Sequence, residues 1–147
     1  MTGFVSEVAV FRQRLKPAGL GEFADSLVQM ARPSVRLVAD AALPATEPAA
    51  SRLGGAPDLP ASTSWPRNED GPLSFIAQVN LADVTAYESE GALPSDGLLS
   101  FFYDAVTQSA WGFDPADHGS AAVIYTPTPT VTDHRVPPAD LAEDGVF

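Results

Sequence analysis

Two short stretches hold side chains whose types and spacing suit chemistry. Asp114-Pro115-Ala116-Asp117-His118 places two carboxylates and an imidazole within five residues. Such a set can hold a divalent cation or offer an acid–base group. Oxygen donors favour calcium, magnesium or manganese, whereas structural zinc asks for more His or Cys. His134 is the one residue able to add a second imidazole, from a segment expected to pair nearby. The competing reading is ordinary turn chemistry, because Asp-Pro and His-Gly favour turns and acids are abundant in this half. The other stretch is Arg52-Leu53-Gly54-Gly55. Adjacent glycines let a backbone approach a ligand closely, and Arg52 offers a bidentate fork for a carboxylate or phosphate. The spacing matches neither a Walker A loop nor GxGxxG, and no helix follows to add a dipole. Its competing reading is a tight loop in which Arg52 pairs internally with an acid such as Asp58.

Trp65 and Trp111, with Phe101, Phe102, Tyr103 and Phe113, form a third set. Tryptophans beside Pro66 and Gly112 in loops suit a ligand-facing surface, although a domain of this size also needs large apolar side chains for its core. Glu69 with Asp70 and Glu88 with Glu90 are carboxylate pairs, but neighbours in a turn point apart into water, and acid–base work needs them across a cleft. There is no Gly-x-Ser-x-Gly elbow, and neither histidine has a recognisable nucleophile beside it. No catalytic residue is therefore assigned. No cofactor is expected on the leading reading, and a divalent cation on the alternative.

The elements that position these residues follow from periodicity. Phe4, Val8, Phe11 and Leu15 recur at helical spacing, with Arg12, Arg14 and Lys16 near the end where cations suit the helix dipole. Pro17 and Gly19 stop this helix. A second helix is expected over 20–31, ended by Arg32-Pro33. Val35, Leu37 and Ala39 alternate as a short strand. Residues 41–66 hold Pro44, Pro48, Pro57, Pro60, Pro66 and Gly54-Gly55, which preclude regular structure, while Leu43, Leu53, Leu59 and Trp65 point to an ordered, packed loop. Further strands are expected over 73–81, 98–103 and 121–125, with an edge strand over 131–136. In the first of these, Leu73, Phe75, Ala77, Val79 and Leu81 share the apolar face, opposite Ser74, Ile76, Gln78 and Asn80. Helices followed by strands make the class α+β, with a largely antiparallel sheet.

Composition narrows the function. The 147 residues carry a formal charge of −11 and no cysteine. Disulfides, thiolate metal sites and cysteine nucleophiles are thereby excluded. Residues 1–52 hold six basic and five acidic side chains, a net of +1, and residues 53–147 hold two and fourteen, a net of −12. That surface repels polyanions, so neither nucleic acid nor an anionic membrane is an expected partner. No apolar run approaches a membrane span, and the N-terminal residues lack a basic leader, so a cytoplasmic location is expected.

Ser51-Arg52-Leu53-Gly54-Gly55, Leu59-Pro60, Trp65-Pro66, the run Gly71–Leu81 and Leu93-Pro94 through Gly97-Leu98-Leu99-Ser100-Phe101-Phe102-Tyr103 resemble, in order and spacing, the YwqG-like family of bacterial domains. The resemblance spans about residues 20–125. It implies a mixed α+β fold with largely antiparallel sheet and no established activity. Family members usually continue with further strands, so the resemblance implies a shortened member with a tail over 137–147. Some members place cysteines between Trp-Pro and the next strand, as if for a metal. Here that interval reads Arg67-Asn68-Glu69-Asp70, so no such role carries over.

The sequence thus predicts one α+β domain over 1–147, with a helical part over 1–33, a strand and ordered loop over 34–66, and antiparallel strands over 67–136. The leading expectation is a non-enzymatic binding or protein-interaction module whose ligand-facing residues are Arg52, Gly54, Gly55, Trp65 and Trp111, taking a protein or small-molecule ligand. A metal-assisted hydrolase using Asp114, Asp117 and His118 is the alternative. Self-association through an exposed strand edge is the third.

Overall fold

The computed structural model describes residues 2–32, 34–38, 47–87, 91–108, 110–127 and 134–141. The chain divides into two compact units, Met1–Arg36 and Leu37–Phe147.

In the first unit α1 spans Thr2–Leu15, with Arg12 and Arg14 in its last turn. Its end is a Schellman closure: the Leu20 N–H reaches the Leu15 carbonyl at 2.9 Å and the Gly19 N–H reaches the Lys16 carbonyl at 3.1 Å. The motif needs a left-handed residue, and Gly19, at φ +76°, supplies it without a Cβ clash. One 3₁₀ turn, Gly21–Phe23, leads into α2, Ala24–Met30. The second helix is shorter than its apolar stripe promised and has no fully buried residue. Arg12 of α1 pairs with Asp25 of α2 in the open, where an ion pair contributes little. Residues 34–38 form no strand, which corrects the expected strand at Val35–Ala39; Ala39 itself lies outside the described residues.

The second unit is a meander. β1 (Arg52–Leu53), β2 (Ser74–Asn80), β3 (Leu98–Tyr103) and β4 (Ala121–Thr126) lie in that order, each antiparallel to the next. Between β2 and β3 a one-turn helix, α3 (Leu81–Val84), is capped by the Asn80 side chain, which accepts the Ala82 N–H. Of the expected edge strand over 131–136, residues 131–133 lie outside the described residues, and His134 makes an isolated bridge to Asp58.

One irregularity decides what the sheet buries. The register of β2 against β3 shifts between Phe75 and Ala77, so Phe75 faces Phe102 and Gln78 faces Ser100. A bulge inserts one residue and turns the following side chains to the other face. Phe75 and Gln78 therefore share the inner face, and the expected alternation of 73–81 fails at Ile76. Gln78 and Ser74, read from the sequence as outward, are both buried.

The inner face has an apolar end and a polar end. Leu59, Trp65, Leu73, Phe75 and Phe102 form the core cluster, with Ala122 and Ile124 packed against it. Trp65 meets Phe102 edge-on at 5.3 Å between ring centroids, and Phe75 meets Phe102 at 5.6 Å. The Arg52–Gln78–Ser100 row makes the polar end. The outer face carries Leu53, Ala77, Val79, Leu99, Phe101, Val123 and Tyr125, and Leu53 and Val123 on it are exposed.

Candidate functional site

The proline-rich loop over 51–66 lies on the inner face, fastened by a buried carboxylate. Asp58 is fully buried. Its Oδ2 accepts from the Ala49 N–H at 2.8 Å, Arg52 Nη2 at 2.8 Å and Gln78 Nε2 at 2.7 Å. Its Oδ1 lies 2.5 Å from His134 Nδ1. Four donors compensate what burial of a carboxylate costs. Arg52 is spent within the same knot. Nη1 donates to the Ala56 carbonyl at 3.0 Å and Nη2 to the Glu47 carbonyl at 3.0 Å. Its Nε is buried with no hydrogen-bond partner among the described residues. The Asp58 N–H donates to Gln78 Oε1 at 2.9 Å, and Gln78 Nε2 also reaches the Ala50 carbonyl at 2.7 Å.

His134 Nδ1 also lies 2.8 Å from Arg52 Nη1. Two lone pairs repel at 2.5 Å, so the contact with Asp58 requires the proton on Nδ1, and the guanidinium packs beside the ring without donating to it. The next residue strengthens the tie: the Arg135 N–H reaches the Pro57 carbonyl at 2.8 Å, and its Nη1 reaches the Pro60 and Thr63 carbonyls at 2.8 and 3.1 Å. Arg67 and Asp140 close the same region at 2.6 Å. Hydrogen bonding to Asp140 raises the Arg67 guanidinium above its ordinary value, and the same bond holds the Asp140 carboxyl below the usual range.

Arg52 thus takes the internal pairing with Asp58 weighed from the sequence. Gly54 and Gly55 sit at φ +67° and +74°, the left-handed region that lets the chain double back there. Trp65 belongs to the core, its Nε1–H donating to the Leu73 carbonyl at 2.8 Å. Of the five residues expected to face a ligand, only Trp111 presents a large side chain to solvent. Gln78 and His134, which complete the knot, were read otherwise from the sequence: one as an outward strand residue, the other as a second imidazole for the Asp114–His118 set.

The loop between β3 and β4 is the opposite case. Trp111 is 76% exposed and Phe113 85%. The backbone beneath them is well tied. The Tyr103 hydroxyl donates to the Ala110 carbonyl at 2.5 Å, and Ala110 is buried. Asp117 Oδ2 accepts the Trp111 and Gly112 N–H groups at 3.0 and 2.7 Å. Asp114 accepts the Ala116 N–H at 2.9 Å and so caps the 3₁₀ turn Pro115–Asp117. Asp104, at the start of the loop, is buried. Burial alone would push its carboxyl up, but hydrogen bonds from the Thr107 hydroxyl and N–H and from Asn68 outweigh it and hold the group below the usual carboxylate range.

Asp114 and Asp117 therefore serve backbone N–H groups, and His118 is exposed beside them. Among the described residues no group of three or more His, Asp or Glu is placed to hold a metal ion. Asp114 and Asp117 thus take the turn bonding that the sequence also suggested. Glu69 and Asp70 are exposed in a turn that Asn68 closes by accepting the Asp70 and Gly71 N–H groups. Glu88 and Glu90 lie outside the described residues. No helix among the described residues is long and apolar enough to cross a membrane.

These features define a class: a helical unit ahead of a four-stranded antiparallel meander, with one loop sealed inward and one presenting aromatics outward. The chain belongs to DUF1963, the YwqG-like domain of unknown function, whose family model matches residues 51–144. The match takes in every strand, both tryptophan loops and the tie at His134. No curated protein matches the chain.

Proposed function

We propose that this domain is a binding module for a partner protein and that the loop bearing Trp111 and Phe113 is its contact surface. One observation carries the reading: two large aromatic rings stand in solvent on a loop whose backbone is already fixed by Asp117, Asp114 and Tyr103. Exposed aromatics on an ordered backbone provide contact area at low entropic cost, which is why such residues dominate interface energetics. The loop over 51–66, expected from the sequence to face the ligand, has Arg52 bonded to Asp58 and Trp65 packed in the core, which leaves Trp111 as the large side chain of that set in solvent. The test compares the immobilised chain with a Trp111→Ala/Phe113→Ala double variant in cell extract. A protein retained by the first and lost by the second supports the reading. Identical retained sets would sink it.

A second reading rests on β4. Among the described residues β4 pairs with β3 alone, and its exposed Val123 and Tyr125 extend the apolar outer face to that edge. An unpaired edge is a template for another strand, so a second copy of the chain is the partner it fits. Sedimentation across a wide concentration range tests this, and a monomer throughout removes it.

A further inference from the structure

The electrostatics around the aromatic loop name the kind of partner. Ser74, Tyr103 and Ala121 are neighbours in the sheet register, so the turn before β2 and the loop after β3 emerge at the same end. Asn68 Nδ2 ties the two together, donating to Asp104 Oδ2 at 3.2 Å. Between them they carry Glu69, Asp70, Asp104, Asp114 and Asp117. Arg67 is their sole lysine or arginine, and it is paired with Asp140. Among the described residues no ion pair engages these five carboxylates, and exposed aromatics at the same end of the sheet favour a cation with a flat or apolar body. Arginine fits on both counts, because its guanidinium stacks on aromatic faces and is weakly hydrated.

We propose that this end of the sheet docks a basic, arginine-bearing segment of a partner protein, with guanidinium groups stacked on Trp111 and Phe113 and the neighbouring carboxylates attracting the segment. The inference rests on the aromatic-loop reading and sharpens it to one chemistry. Like-charged partners, nucleic acid included, are repelled from the same surface.

The test titrates the full chain with three synthetic peptides of equal length: alternating Arg-Gly, Lys-Gly and Glu-Gly. Tryptophan fluorescence and calorimetry give the readout. Trp65 is buried, so a change in emission from solvent-exposed tryptophan reports Trp111. The Arg-Gly peptide binds several-fold tighter than Lys-Gly, and Glu-Gly does not bind. Trp111→Ala/Phe113→Ala weakens the Arg-Gly complex by about tenfold, as expected for two exposed cation–π contacts. Glu69→Gln/Asp70→Asn weakens it less and flattens its salt dependence. Unfolding transitions of both variants are compared with the parent to show that they fold. Equal affinity of parent and aromatic variant overturns the proposal, since diffuse attraction to an acidic chain then explains binding. Absence of Arg-Gly binding also overturns it. If a captured partner still depends on Trp111 in that case, the binding-module reading stands and only the arginine chemistry is lost.

Discussion

Two loops of one domain each carry a tryptophan beside a turn-forming residue, and they treat it in opposite ways. Trp65 and Pro66 end a stretch whose Arg52, Pro57 and Asp58 turn polar groups inward, onto one another, Gln78 and the residues at 134–135. Trp111 and Gly112 start a turn whose polar groups satisfy one another, Asp117 serving the loop's own N–H groups. A loop that takes its hydrogen bonds from the sheet and the C-terminal segment is drawn down onto the core with its aromatic beneath it. A loop that closes its hydrogen bonds locally can stand off the surface and leave its aromatics in water. What separates a core tryptophan from a presented one is thus the destination of the neighbouring polar groups, not the residue or its flanks.

The strongest way to break the contrast is to truncate both rings. Trp65→Ala should cost about 3–5 kcal/mol, because it removes a packed aromatic and strips the Leu73 carbonyl of its donor. Trp111→Ala should shift stability by no more than about 0.5 kcal/mol, as an exposed position allows. Urea unfolding measures both, and equal costs would erase the distinction.

Asp58→Ala attacks the inward loop at its centre. It leaves a buried guanidinium without its carboxylate, which destabilises by about 3 kcal/mol or more. Protease cleavage after Arg52, now released, should accelerate with it. A variant as stable and as resistant as the parent would show that packing alone holds the loop.

The outward loop should respond more weakly. Asp117→Ala removes the acceptor of two N–H groups at an exposed site, at a cost of about 1 kcal/mol. The clearer signature is faster local rotation of Trp111, read as lowered fluorescence anisotropy. Unchanged anisotropy would mean that the loop is not ordered by this carboxylate.

The pH dependence is smaller again. The folded carboxyl of Asp104 is held below its ordinary value, so its contribution is fully present above about pH 4 and is lost as pH falls through the lowered value. Parent and Asp104→Asn should therefore differ in stability at neutral pH and converge in acid. Curves that stay parallel would contradict the assigned role. Smallest of all is Ser100→Ala: the Ser100 hydroxyl is buried without a hydrogen-bond partner among the described residues, so its loss should be neutral or slightly stabilising.

Among the described residues β2, β3 and β4 were legible, whereas β1 lies in the proline-rich stretch read as irregular and the strand expected at Val35–Ala39 does not form over 34–38. Leu98–Tyr103 matches its expected limits and β4 runs one residue further, because apolar runs bounded by turn residues leave few alternatives. The facing of β2 was not legible. Its alternating pattern is sound, but a bulge at Ile76 depends on the partner strand and leaves no mark in the sequence. The same gap hid the polar knot. Arg52 and Asp58 are six residues apart and their pairing could be weighed, whereas His134 lies 76 residues beyond Asp58. In the aromatic loop Trp111 was legible as a surface candidate, but the carboxylates of Asp114 and Asp117 suggested a metal because their bonds to backbone N–H groups are invisible in a residue string.

The bond between Asp58 and His134 also sets a schedule for biosynthesis. Its two ends are separated by 76 residues, so at ~5–20 residues per second the ribosome makes the second about 4–15 s after the first. Throughout that interval the nascent chain holds an arginine and an aspartate destined for the interior, without the histidine that joins them. A chain arrested after Thr126 possesses all four strands and still lacks the imidazole and the Arg135 N–H that fasten residues 57–63. The loop over 51–66 can therefore make these ties only after residues 134 and 135 have been added and have left the ribosome.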